Sequence, residues 1–144
     1  MTQESHVPID VLLVEDDPAD ELITREAFEH NKIGNTLHVV RDGEEALDFL
    51  YRRAKHADAV RPDLILLDLN LGRFSIDGWE VNRRLKADPL TRTIPVIALT
   101  AHAQRVEHRE RSLAEGFVQH ISKPFDYDTL IDQVRAHSFK EGVK

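Results

Sequence analysis

The feature that most constrains this chain is an alternation between two hydrophobic periods. Apolar segments of strand type recur at Ile9–Val14, Leu37–Val40, Leu64–Leu67, Pro95–Leu99 and Phe117–Ile121. The third is four consecutive aliphatic residues and the fourth reads Pro-Val-Ile-Ala-Leu. Runs without polar alternation belong to central parallel strands covered on both faces. Between the strands the apolar spacing changes to three and four. Ala19, Leu22, Ile23 and Ala27 repeat in this way after Asp17-Pro18, an N-cap followed by proline at the first helical position. Leu47, Leu50, Tyr51 and Ala54 form a stripe entered through Asp42-Gly43, and Leu130, Ile131 and Val134 form the last one. Val81 with Leu85, and Val106 with Leu113 and Ala114, mark two sparser helices. The second of these, the fourth helix in the chain, is expected to be the least firmly packed.

Five strand–helix units in strict alternation predict a doubly wound α/β sandwich with right-handed crossovers, a flavodoxin-like (βα)5 fold with parallel sheet order 2-1-3-4-5. A chain of 144 residues supports one hydrophobic core. The expected organisation is a short tail at 1–8, one domain at 9–137 and a tail at 138–144, with no room for a separate output domain. No apolar run is long enough to cross a bilayer, and Met1–Ile9 lacks the basic and apolar regions of a secretion signal, so the cytoplasm is the expected compartment. Cysteine is absent, which leaves oxygen and imidazole as metal ligands. A net charge of -7 without a long basic run argues against direct DNA binding. The mixed-sign stretch His102–Arg111 reads as a solvated helix face.

In such sheets ligands bind beyond the carboxyl ends of the strands, where the winding reverses between the first and third. The first strand ends in Glu15-Asp16-Asp17 and the third in Asp68, so several carboxylates converge on one rim. Two like charges about 4 Å apart repel by roughly 4 kcal/mol at an effective dielectric near 20, so the cluster must bind a cation, take up a proton or spread into water. A hard divalent ion, Mg2+ or Mn2+, satisfies carboxylates, waters and a phosphate oxygen together. Asp17 is accounted for as the N-cap. Asp68 directly follows four aliphatic residues, where an unpaired charge is costly. Thr100 ends the fourth strand and Ser122-Lys123-Pro124 follows the fifth, bringing a hydroxyl and an ammonium to the same rim. Each has an ordinary explanation alone; together with the acids they make a phosphoryl site.

These motifs, Leu-Leu-Val-Glu15-Asp16-Asp17, Leu-Ile-Leu-Leu-Asp68-Leu-Asn70, Ala-Leu-Thr100-Ala101 and Lys123-Pro124, resemble the receiver domain of two-component response regulators over 9–137. Glu-Asp-Asp-Pro-Ala-Asp and Val-Val-Arg-Asp-Gly-Glu-Glu-Ala-Leu are similar to the single-domain regulators that accompany bacterial phytochrome kinases. Asp-Gly-Trp-Glu-Val and Ala-Leu-Thr-Ala-His are similar to receivers of phosphorelays and hybrid kinases. The resemblance implies that Asp68 accepts a phosphoryl group from a sensor histidine kinase, a bacteriophytochrome or a hybrid kinase. It further implies that Glu15, Asp16, Asp68 and the Asn70 carbonyl hold Mg2+, that Thr100 and Lys123 contact the phosphoryl oxygens, and that Lys123-Pro124 is cis. Phosphorylation would switch the surface of the fourth helix, fifth strand and fifth helix. Such a domain catalyses only its own phosphorylation and dephosphorylation and is not otherwise an enzyme. Onward transfer to a histidine phosphotransfer protein, and a symmetric homodimer through the fourth or fifth helix, are compatible with the sequence.

Two departures from the family pattern stand out. His120 occupies the position three before Lys123 where an aromatic ring is usual, so either imidazole takes over the ring's role or output uses other contacts. The segment Leu71–Gly78 is about two residues longer than the usual loop, with Gly72 where proline is expected. His102 is expected near the phosphoryl group. Two rival readings are a haloacid dehalogenase-type phosphohydrolase, which normally needs an Asp-x-Asp that Glu15-Asp16-Asp17 lacks, and a non-phosphorylated binding module on the same fold.

Overall fold

Parallel strands buried on both faces need helices above and below, and the chain supplies them in turn. The structure, a computed structural model, describes residues 9–31, 35–71, 76–101 and 105–137. The elements run β1 (Asp10–Val14), α1 (Pro18–Asn31), β2 (Thr36–Val40), α2 (Gly43–Leu50), a 3-10 turn (Ala54–His56), β3 (Leu64–Asp68), α3 (Gly78–Ala87), β4 (Val96–Thr100), α4 (Val106–Ala114), β5 (Gln119–Ser122) and α5 (Tyr127–His137). All strand pairs are parallel and the order is β2-β1-β3-β4-β5, as the alternation predicts.

The two faces of the sheet sort the side chains by parity. Leu12, Val14, Ile65, Leu67, Val96 and Ala98 pack with Leu47, Leu50, Val81 and Leu85 of α2 and α3. Val11, Leu13, Leu64, Leu66, Ile97 and Leu99 pack with Ala27 and Phe28 of α1 and with Leu130, Ile131 and Val134 of α5. Each fully buried aliphatic side chain contributes about 1.5–3 kcal/mol of transfer free energy, so β1, β3 and β4, buried almost throughout, form the rigid frame.

The structure shifts several expected boundaries. β3 and β4 extend one residue further than their apolar runs, so Asp68 and Thr100 are the last residues of strands and pair with Leu99 and Ser122 in the ladder. β5 begins at Gln119, leaving Phe117 as a buried residue just before it. In α1 the inward face is Thr24, Ala27 and Phe28, whereas Ala19 and Leu22 are exposed and Ile23 is half-buried. The Asp17 cap does form, its carboxylate accepting from the Ala19 N–H at 2.9 Å. α2 stops at Leu50 because Arg52 and Ala54 adopt left-handed backbone (φ 56° and 54°), which takes Tyr51 and Ala54 out of the helical stripe. α4 is loosely packed as expected, but Val106, Leu113 and Ala114 all face solvent and the helix buries Ser112 alone.

Candidate functional site

Parity decides where each functional side chain emerges at the carboxyl edge of the sheet. Glu15 continues the Val11–Leu13 row and Asp68 the Leu64–Leu66 row, so both project on the face covered by α1 and α5. Lys123, two residues beyond Ile121, follows the same row, and the Lys123-Pro124 peptide is cis. Its ammonium donates to Glu15 Oε1 at 3.0 Å, to Asp68 Oδ2 at 3.1 Å and to Asp20 Oδ2 at 2.8 Å. The Asn70 N–H donates to Asp68 Oδ1 at 2.9 Å, so both oxygens of that carboxylate are held. Gly78, the first residue of α3, has no room for a side chain: a Cβ there would overlap the Asp68 carbonyl. Its N–H donates to the Leu69 carbonyl at 3.3 Å, which fixes the turn leaving β3.

Glu15 and Asp68 are 1% and 3% exposed, so their charges interact with little screening. Burial, and then contact with Asp68, pushes the Glu15 carboxyl up to about 8 against the downward pull of Lys123. Burial works to lower the Lys123 ammonium, but the hydrogen bond to Asp20 and the charges of Asp68 and Glu15 outweigh it and hold the group above its usual range. Glu15, Asp16 and Asp68 each offer an oxygen within 4.8 Å of the others. Beside them opens a cavity of about 440 Å3 lined by Asp16, Asp20, Asp68, Asn70, Ala101 and Lys123. An all-oxygen, multiply negative donor set with space for waters fits a hard divalent cation.

Five of the six residues expected at the site, Glu15, Asp16, Asp68, Asn70 and Lys123, lie around this cavity or directly beneath it. Thr100 reaches the same edge from the other side. It continues the Val96–Ala98 row toward α3 and α4, and its hydroxyl shares a hydrogen with His108 Nε2 at 3.0 Å. His102 and residues 72–75 of the long loop fall outside the described residues. His120 lies opposite Ala98 in the ladder, half-buried, and its Nδ1 is buried without a hydrogen-bond partner among the described residues.

Sequence reasoning missed two residues. Asp20, in the first turn of α1, adds a further carboxylate to the lysine, so that Lys123 faces three acids, Glu15, Asp20 and Asp68. Its place in the first turn of the helix that leaves the acidic end of β1 was the available signal. His108 lay hidden in the mixed-charge stretch, whose described residues are mostly exposed, and nothing in its sequence neighbourhood marks it.

Fold and site together define a parallel α/β domain whose edge gathers acids suited to a divalent cation around one buried lysine. The model of the response regulator receiver domain matches residues 11–135. The chain belongs to this family: it is a receiver-domain response regulator of two-component systems, a class in which the phosphoacceptor role is standard and the phosphoryl group comes from histidine kinases. Response regulator Rcp1 of Synechocystis sp. is 36% identical over 122 residues, covering 85% of this chain and 78% of that protein. The solved Mn2+-bound form of Rcp1 superposes with a TM-score of 0.76 at 32% identity, over 90% of this chain and 91% of that one. The phosphorylated cyanobacterial phytochrome response regulator RcpA gives a TM-score of 0.76 at 34% identity over the same shares of the two chains. The bacteriophytochrome response regulator RtBRR gives 0.81 at 31% identity, over 96% of this chain and 82% of that one. Receiver domains bind divalent metal, and the Glu15–Asp16–Asp68 cluster is present here. Among the described residues no helix is long and apolar enough to cross a membrane.

Proposed function

We propose that Asp68 is the phosphoacceptor and that the chain receives its phosphoryl group from a histidine kinase of the phytochrome class. The observation that carries this reading is the buried Asp68 carboxylate held between Lys123 and the Asn70 N–H at the floor of an acidic cavity. Its likeness to RcpA, a cyanobacterial phytochrome response regulator, and to RtBRR, a bacteriophytochrome response regulator, supports the choice of kinase. Glu15, Asp16, Asp68 and the Asn70 carbonyl would hold Mg2+, which when bound supplies positive charge opposite the transferring phosphoryl oxygens.

An Asp68 oxygen attacks phosphorus in line with the phosphohistidine nitrogen; the O–P bond forms as the N–P bond breaks, and the imidazole leaves with the electron pair. Lys123 offsets the Asp68 charge in the resting site and meets the phosphoryl oxygens as charge accumulates there. Thr100 donates its hydroxyl to the new phosphoryl group. The test is phosphotransfer from phytochrome-class histidine kinases to wild type and Asp68→Asn, with Mg2+ present and absent. Labelling confined to the wild type with Mg2+ is expected; equal labelling of both proteins would refute Asp68 as acceptor.

A further inference from the structure

Asp68 and Thr100 emerge from opposite faces of the sheet, yet a phosphoryl group on Asp68 must draw on the Thr100 hydroxyl. Thr100 lines a second cavity of about 290 Å3 with Asp77, Trp79 and His108, while the acidic cavity is lined by Asp16, Asp20, Asp68 and Lys123. Asn70 and Ala101 border both. On the far side of the hydroxyl, His108 Nε2 lies at 3.0 Å. The His108 ring is fixed in turn: it meets Trp79 edge-on, centroids 5.3 Å apart at 73°, and the Arg111 guanidinium covers the same indole at 3.8 Å. Phe117 closes the remaining edge of Trp79 at 5.7 Å.

Further fastenings of α4 lie at its far end. Asn82 Nδ2 of α3 donates to the Glu115 carbonyl at 2.6 Å, and Arg83 pairs with the Glu115 carboxylate at 3.4 Å. Near the phosphoryl site, His108 ties α4 to the end of β4, and the Arg109 charge acts on His120 of β5. Because the helix buries Ser112 alone, its first turns have little apolar contact to hold them once that bond opens.

We propose that His108 is a positioning residue for Thr100, holding the hydroxyl toward α4 so that phosphorylation of Asp68 and the present seat of α4 compete for it. The proposal rests on the reading of Asp68 as acceptor. It gives α4 a ring that reaches the threonine, in a chain whose β5 carries His120 where the family usually has an aromatic. Losing the imidazole releases the hydroxyl and makes the phosphorylated-like state easier to reach.

The experiment titrates the whole chain, with Mg2+, against beryllofluoride, counting bound fluoride by NMR and following the emission of Trp79, the single tryptophan. His108→Ala is expected to half-saturate at about three- to tenfold lower beryllofluoride, the range of one net hydrogen bond. His108→Gln, whose amide can reach the same hydroxyl, returns half-saturation toward the wild-type value. In a Thr100→Val background His108→Ala produces no shift. An unshifted His108→Ala, or a shift of equal size with and without the Thr100 hydroxyl, overturns the proposal while leaving Asp68 as acceptor intact. Wild type that binds no more beryllofluoride than Asp68→Asn overturns the acceptor reading and this one with it.

Discussion

Replacing Lys123 by methionine removes the one cation that, among the described residues, holds Glu15, Asp20 and Asp68 together. The lysine makes three contacts of 2.8–3.1 Å with side chains that are 0%, 24% and 5% exposed. Removing one member of a buried ion pair typically costs about 3–5 kcal/mol, because the partner is left charged and desolvated. Two features reduce that figure here. Asp20 is partly solvated, and Glu15, with its carboxyl already at about 8, holds a proton near neutral pH and has little charge to lose a partner for. A destabilisation of about 2–3 kcal/mol at neutral pH remains, equivalent to a fall in Tm of roughly 5–10 °C for a domain of this size. The pH dependence has a definite sign. Lys123 pulls the Glu15 carboxyl down, so without it the folded variant binds more protons than the folded wild type, and the stability gap widens as pH rises through neutrality toward 8. Divalent cation narrows the gap by replacing the missing positive charge. Urea unfolding of the metal-free proteins at several pH values, repeated with Mg2+, measures both effects. Equal stability of the two proteins, or a gap that shrinks with rising pH, would refute the assignment of Lys123 as the counter-charge of this cluster.

Other expected outcomes follow from the same geometry. Burial, then the neighbouring Arg109 charge, holds the His120 imidazole below its ordinary 6.5, so the unfolded chain takes up this proton first. The contribution of His120 to wild-type stability should therefore be level above about pH 6.5 and fall below it, and the difference between wild type and His120→Gln in urea midpoints should show that step; an identical acid slope in the variant would assign it elsewhere. Gly78→Ala should cost about 1–3 kcal/mol and weaken Mg2+ binding, since its Cβ displaces the Asp68 carbonyl and Leu69; calorimetry on the variant tests both, and wild-type Mg2+ affinity would count against the close approach. Asp20→Asn should change stability by no more than about 1 kcal/mol and leave Asp68 labelling intact, because Lys123 keeps Glu15 and Asp68.

Strand–helix alternation made the architecture legible because each apolar run has only one use in a parallel sheet, and the acids at strand ends were legible because a charge beside buried aliphatics needs a reason. Helix faces were harder to read. Leu22, Val106 and Leu113 are apolar and fall on helical spacing, yet they face solvent, while Thr24 and Ser112 are buried; in α1 the Thr24 hydroxyl satisfies itself on the Asp20 carbonyl at 2.9 Å. Composition cannot show that a threonine has found its own backbone acceptor. Asp20 and His108 were obscured for a different reason. Both sit in polar surroundings where a charged or imidazole side chain costs nothing to leave in water, so their roles appear only when the fold brings Lys123 from the far end of the chain to Asp20 and turns His108 back onto Thr100.

The distribution of buried contacts indicates where a change of charge at Asp68 can be felt. β1, β3 and β4 are packed from both faces, and α1 and α5 interlock beneath them through Ala27, Phe28, Leu130, Ile131 and Val134. Moving any of these opens a cavity, at a cost of several kcal/mol. α4 meets the domain mainly through polar and ring contacts: Thr100 with His108, Trp79 with His108 and Arg111, and Asn82 with the Glu115 carbonyl. A net hydrogen bond is worth about 0.5–1.5 kcal/mol, within reach of a single added phosphoryl charge, whereas the apolar frame is not. The acidic half of the site is thus built to stay still while the threonine half yields, and the response to phosphorylation should concentrate in α4 and the segments on either side of it.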